Sequence, residues 1–346
     1  MMPAMAATST TTAAGNRSAG VDLLRIVGIA AVVAGHVWSD SLTRASIYTW
    51  HVPVFFVLTG YFWSPGRPLG GELRKRWTTL GVPYVVWFLI LVAALLAADA
   101  ATGQVAPGTI GDALYGGTAA VRPFSAFWFV SVLFIAAVAF RWLERFPAAV
   151  AWTVAVVGLV TAYLAPGVVT AGPLGLFLVP ACLVFVLAGR LLRRLRPRLP
   201  ASAGAASLSI GVGFVLLGLN RDLDLKAGDF GSPVLGVLTA ILISVGLIRL
   251  AEELDLRIGA RASGVISRLA GCGIAVVLSH AGILWVLKTP RSGGVVDLGA
   301  ALVVPWAFAW IVISTPLGPW LTGTRIGGSA RAASGVASRP GAAQTH

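Results

Sequence analysis

Charge is what this sequence has least of. Only 11% of its 346 residues are charged, against 57% apolar, and the shortage excludes a water-soluble domain, which could not cover so much apolar surface. Acids are scarcer than bases, 13 to 26, giving a formal net charge of +13. The two cysteines, Cys182 and Cys272, form no CxxC metal or redox motif, and both fall inside apolar runs where a small packing residue is expected. Four histidines, one of them His346 near the C-terminus, include no His/Cys pair at ligand spacing, so no metal site is assigned. The glycines make no P-loop. Ser279 lies in no Gly-x-Ser-x-Gly elbow, and no soluble module or aromatic-interleaved basic run points to nucleic acid. There is no internal repeat and no gap long enough for a second domain. The longest gap, about 99–125, holds Asp99, Asp112 and Arg122 and is placed to cap a site.

What the sequence does have is long apolar runs. About 20 such residues cross the hydrocarbon layer as a helix, and open sheets are excluded there by their unpaired backbone groups. The expected fold is therefore an all-α integral membrane protein, a polytopic bundle of about ten transmembrane helices. The spans fall at about 21–38, 45–63, 82–98, 126–142, 148–165, 174–192, 204–219, 232–250, 269–287 and 298–315. Residues 1–20 and 317–346 read as disordered cytoplasmic ends flanking one membrane domain, 21–316. Asp22 and Arg25 interrupt the first run too early for a cleaved signal, so it reads as retained. On this map the termini and even-numbered gaps, with the adjoining span ends, hold 20 of the 26 bases and six of the 13 acids. The odd-numbered gaps hold six bases and seven acids. The positive-inside rule then puts both termini in the cytoplasm of a multi-pass cell-membrane protein, and explains the net charge without a basic partner.

The polar residues within the runs need separate reasons. In VDLLRIVGIAAVVAGHVW, Arg25 and His36 are eleven positions apart, which on a helix returns them to within about 20° of one face and separates them by about 16 Å. Asp22, three residues before Arg25, is placed to pair with it. A neutral imidazole can take a proton from a hydroxyl attacking an activated acyl group, whereas arginine cannot act as a base. The alternative is that Arg25 snorkels to the inner headgroups while His36 pairs at the outer interface. In TWHVPVFFVLTGYFW, His51 falls on the same membrane side as His36, Pro53 and Gly60 permit helix irregularity, and Thr59 and Tyr61 offer hydrogen bonds; a Thr satisfying its own helix is the plainer reading of Thr59. Arg74, Lys75 and Arg76 lie in the next inward gap, where they hold phosphate groups, fix topology, or both. His280, in the Leu-Ser-His stretch of the ninth span, is either a contact in the outward cavity or a packed histidine.

Taken together, DLLRIVGIAAVVAGH, HVPVFFVLTGYFW and ELRKRWTTLGVPYVVW resemble the membrane acyltransferase type 3 family. The resemblance is sharp over 21–87 and looser over FSAFWFVSVLF and VLSHAGILWVL; Thr59-Gly60 stands where Ser-Gly is more usual. It implies a minimal bundle without an appended soluble domain, and transfer of an acyl group from cytoplasmic acyl-CoA, acetyl-CoA by default, to a hydroxyl of an extracytoplasmic or membrane-associated glycan or lipid-linked sugar. It implies His36 as the base, Arg25, Arg74 and Arg76 as donor contacts, and Asp22 as the group orienting Arg25. His51, Tyr61, Trp128 and His280 are the expected substrate contacts. No permanently bound cofactor is implied. Direct transfer and an acyl-enzyme intermediate both remain open, as do a homo-oligomer or a biosynthetic membrane complex. The competing functions are a transporter or flippase for a lipid-linked or small polar substrate, and a receptor or sensor that binds without turnover.

Overall fold

The computed structural model describes residues 18–103, 106, 108–200 and 202–324. Residues 1–17 of the expected N-terminal disordered segment, and 325–346 of the expected tail with His346, lie outside the described residues. Among the described residues there is no β-sheet, only the isolated bridges Trp38–Ser292 and Asp224–Asp229. The fold is all-α.

The principal helices are α1 (Ala19–Val37), α2 (Pro53–Tyr61), α3 (Leu69–Thr102), α4 (Phe127–Leu143), α5 (Ala148–Leu164) and α6 (Val179–Leu195). They continue as α7 (Ser202–Leu216), α8 (Leu235–Asp255), α9 (Ala260–Gly271), α10 (Gly273–Val286), α11 (Val295–Val312) and the short α12 (Gly318–Thr322). Large apolar side chains such as Leu89, Val157, Val303 and Ile311 are exposed around the bundle, as expected where lipid is the solvent. The protein is a multi-pass membrane protein, but the expected count of about ten spans is overturned. Five helices are long and apolar enough to cross: Ala19–Val37, Leu69–Thr102, Pro173–Arg198, Leu235–Asp255 and Val295–Val312. A sixth is reached if α9 and α10, bent by 53°, count as one broken span.

The missing spans have physical causes. The run 45–63 is not one helix: Arg44–Tyr48 is a π-helical turn, and Pro53, which has no N–H to donate, starts a separate helix of nine residues. The runs at 126–142, 148–165 and 204–219 form helices of 17, 17 and 15 residues, short of the 20 or so that a perpendicular crossing needs. Apolar composition counts residues in a run but is blind to breaks in helix continuity.

Helix α1 runs through the packed interior against α8, α9, α10 and α11. The Ser18 hydroxyl caps its start by accepting from Val21 N at 3.2 Å, and Asp22 in the first turn complements the dipole. Its far end is stopped by Trp38, which is extended and donates Nε1–H to the Gly293 carbonyl at 2.6 Å. Helices α2 and α6 cross backbone to backbone. A Cβ on Gly60 would lie 1.9 Å from the Val186 carbonyl oxygen, and one on Gly189 would lie 1.9 Å from that of Val57. Gly60 thus serves close packing, where the sequence suggests helix irregularity. The two ends of α1 define two ends of the molecule. Gly20 N–H donates to Asp255 at the end of α8; His36, at the other, adjoins the loop after α10.

Candidate active site

At the far end of α1 a cavity of about 130 Å³ opens between α1, the residues before α2, the start of α4 and the segment before α8. Its polar lining is His36, Tyr48, His51, Trp128, Asp224 and Lys226. The volume suits a few waters or the hydroxyl-bearing end of a larger molecule, at roughly 30 Å³ per water. His280 of α10, fully buried, meets His36 edge-on with ring centroids 5.0 Å apart and planes at 65°.

Backbone contacts fix two of the imidazoles. His51 Nδ1 lies 2.9 Å from the Ile47 carbonyl and His280 Nδ1 lies 3.0 Å from that of Val276. A carbonyl can only accept, so each neutral ring carries its proton on Nδ1 and keeps a lone pair on Nε2. The Nε2 of His280 is buried with no hydrogen-bond partner among the described residues. Tyr48 donates its hydroxyl to the Gly35 carbonyl at 3.0 Å and so braces the last turn of α1. Arg122 donates to the Thr289 carbonyl at 2.5 Å and to the His36 carbonyl, tying the ends of the two histidine-bearing helices together.

The segment between α7 and α8 closes one side of the cavity. Lys226 donates from Nζ to the carbonyls of Ala120 at 2.6 Å and Ser125 at 3.3 Å, and burial pushes its amine down to about 8. Arg44 holds the same segment, pairing with Asp222 at 2.6 Å and Asp224 at 3.6 Å while its guanidinium lies 4.5 Å from the centroid of the Tyr48 ring.

The opposite end is dense in arginine. Asp22 is fully buried; Arg25 pairs with it at 2.6 Å and Ser267 donates to its other oxygen at 2.9 Å. Arg25 also sits 5.6 Å from the Phe62 ring centroid. Arg76 donates to the buried carboxylate of Glu72 at 2.7 Å, Arg67 donates to its second oxygen at 2.7 Å, and Arg141 approaches at 3.6 Å. Arg141 continues the chain to Glu144, which also accepts from Arg190. Arg74 is exposed beside this network.

The fold therefore brings His36, His51, Trp128 and His280 to one end and Asp22, Arg25, Arg74 and Arg76 to the other. Tyr61 does not join the histidines: it lies at the arginine end and donates to Glu252, which also binds Arg196 and Arg249. Sequence reasoning missed Lys226 and Tyr48 at the cavity, and Glu72, Arg141, Glu144 and Glu252 at the arginine end; Arg122 was named only as part of the gap placed to cap a site. Arg141, Glu144 and Glu252 carried a signal, as charges at the edge of apolar runs; Lys226, in a loop, carried none. Among the described residues no group of three or more His, Cys, Asp or Glu is placed to hold a metal ion.

Fold and site define a helical, multi-pass membrane protein with its polar groups gathered at two ends. The model of the type 3 acyltransferase domain family matches residues 18–324, most of the chain, and the protein belongs to that family of membrane acyltransferases. Neither the curated proteins nor the solved structures include a significant match.

Proposed function

We propose that the protein moves an acyl group, acetyl by default, from acyl-CoA at the arginine end to a hydroxyl of a glycan or lipid-linked sugar at the histidine cavity. The observation that carries this reading is that one helix, α1, bears Asp22 and Arg25 at one end and, at the other, His36 on a cavity backed by His280. Membership of the acyltransferase family supplies the reaction class. The arginine end is the cytoplasmic one, and with α9 and α10 counted as one broken span both termini fall on that side: Arg74, Arg190, Arg193, Arg194 and Arg196 crowd around helix ends there, in keeping with the positive-inside rule.

In this scheme Arg25, Arg74 and Arg76 contact the phosphate-rich donor, with Asp22 holding the Arg25 guanidinium in place. His36 takes the proton of the acceptor hydroxyl as its oxygen attacks the thioester carbonyl. A C–O bond forms, the C–S bond breaks, and the imidazolium returns the proton to the departing thiolate. His51 and Trp128 contact the acceptor. His280, whose Nε2 has no partner among the described residues and whose ring meets that of His36, orients either that ring or the acceptor hydroxyl. Tyr61 belongs with the donor side and is not assigned to the acceptor.

The test is incubation of the protein in lipid nanodiscs with radiolabelled acetyl-CoA and separate pools of glycans and lipids, beside a folded His36→Ala control. Label entering one pool with the wild type alone supports transfer and identifies the acceptor class. Undiminished transfer by the variant overturns the role of His36, and passage of a lipid-linked sugar across the bilayer without any label transfer supports a flippase instead.

A further inference from the structure

Lys226 stands out among the cavity's polar groups. Its ammonium has three N–H donors, and the carbonyls of Ala120 and Ser125 take two of them. No carboxylate lies within ion-pair distance of it among the described residues. Asp224, the acid lining the cavity, favours the charged ammonium from beyond that distance, but it is turned to Arg44 at 3.6 Å and accepts from the Ala227 amide at 3.3 Å. A half-buried cation on a partly open cavity, with one donor left over, is better satisfied once an anion arrives. The lowered basicity of the amine, to about 8, agrees with that position and leaves it charged at neutral pH. His36, His51 and Tyr48 share the cavity, so an anion held by Lys226 would be placed next to the imidazoles. Phosphate or carboxylate on the acceptor supplies the same oxyanion chemistry.

We propose that Lys226 is the specificity residue of this cavity and that the acceptor carries an oxyanion, a carboxylate or a phosphate ester, near the hydroxyl that receives the acyl group. This deepens the acyltransferase reading and rests on it for the word acceptor; the anion site itself does not. The ammonium contacts the substrate and not the reacting atoms, so its removal alters which acceptor binds more than how fast a bound one reacts.

The experiment compares binding of methyl glucuronide, glucose 1-phosphate and neutral methyl glucoside to nanodisc-embedded wild type, Lys226→Met and Lys226→Arg, with labelled acetyl-CoA present to read transfer in the same samples. The wild type should bind at least one charged probe about tenfold or more tighter than the neutral one, as a hydrogen bond to a charged group predicts. Lys226→Met should lose that preference and keep neutral binding, while Lys226→Arg retains it. The glucuronide and phosphate arms tell which oxyanion is taken. Equal binding of charged and neutral probes by the wild type overturns the proposal without need of any variant. So does a Lys226→Met protein that melts earlier and loses all three probes equally, because Lys226 then only staples two loops. Lys226-dependent charge preference without label transfer would support the site and count against the acyltransferase reading. Transfer to a charged probe that Lys226→Met leaves unchanged would do the reverse.

Discussion

At the arginine end of the molecule the charges answer one another, whereas at the cavity end polar groups are held mainly by backbone carbonyls. Glu72 lies between Arg67, Arg76 and Arg141, and Glu144 between Arg141 and Arg190. Four guanidiniums around two carboxylates leave the cluster net positive while tying α3, α4 and α6 together. At the cavity, His51, His280 and Lys226 are each fixed through one face by carbonyl oxygens, which leaves an Nε2 lone pair on each imidazole and an N–H on the lysine. Paired charges hold helices in register. A polar group satisfied on one side only is rigid and still has hydrogen-bonding capacity for a ligand, as preorganised sites require.

That contrast is broken most severely by His36→Ala, which should lower acyl transfer about 10²- to 10⁴-fold, the usual range for a lost general base, with the melting temperature in nanodiscs nearly unchanged. The reverse pattern is expected of Glu72→Ala. It strands Arg76 without its buried carboxylate and should lower stability by about 3 kcal/mol, at the low end of the range because Arg141 keeps Glu144 and Arg67 keeps 29% side-chain exposure. Thermal unfolding measures this, and an unchanged melt would mean that the network is dispensable to the fold.

Packing gives a third probe that touches neither chemistry. Gly60→Ala drives a methyl against the Val186 carbonyl, 1.9 Å from the ideal Cβ position, and should cost roughly 2–3 kcal/mol. Combining it with Gly189→Ala, at the same crossing, should cost less than the sum of the two, since one displacement of α2 from α6 relieves both clashes. The smallest effect separates two of the three predicted donor arginines. Arg74→Gln, at an exposed position, should raise the donor KM by about threefold without altering the melt. Arg76→Gln removes a Glu72 partner and should shift both. Identical donor saturation in both variants and the wild type would leave these residues with structural and topological roles only.

Much of this contrast can be read along the chain. Asp22, Arg25 and His36 sit on one helix, so local geometry alone places a carboxylate–guanidinium pair at one end and an imidazole at the other. The basic stretch Arg74–Arg76 is visible because its charges are consecutive. What cannot be read are the partners. Glu72 looks like an ordinary acid before a basic run, and its burial comes from Arg141 on another helix. His280 meets His36 only because α1 packs on α10, and Lys226 reaches the cavity from a loop with no periodicity to mark it. The span count failed for a related reason: hydropathy sees 45–63 as one apolar stretch, while Pro53 and the preceding π-helical turn divide it.

Solvent and reaction class are legible from the chain alone. Its shortage of charge demands a bilayer around an all-α chain, and the motifs from Asp22 to Trp87 mark the family. How many helices are continuous enough to cross, and which polar groups share a cavity, emerges only from the packed fold. Composition and spacing act over a few residues along one helix. The crossing of α2 and α6, the meeting of His36 with His280 and the reach of Lys226 each depend on contacts between elements far apart in the chain, where packing, rather than local preference, sets the distance.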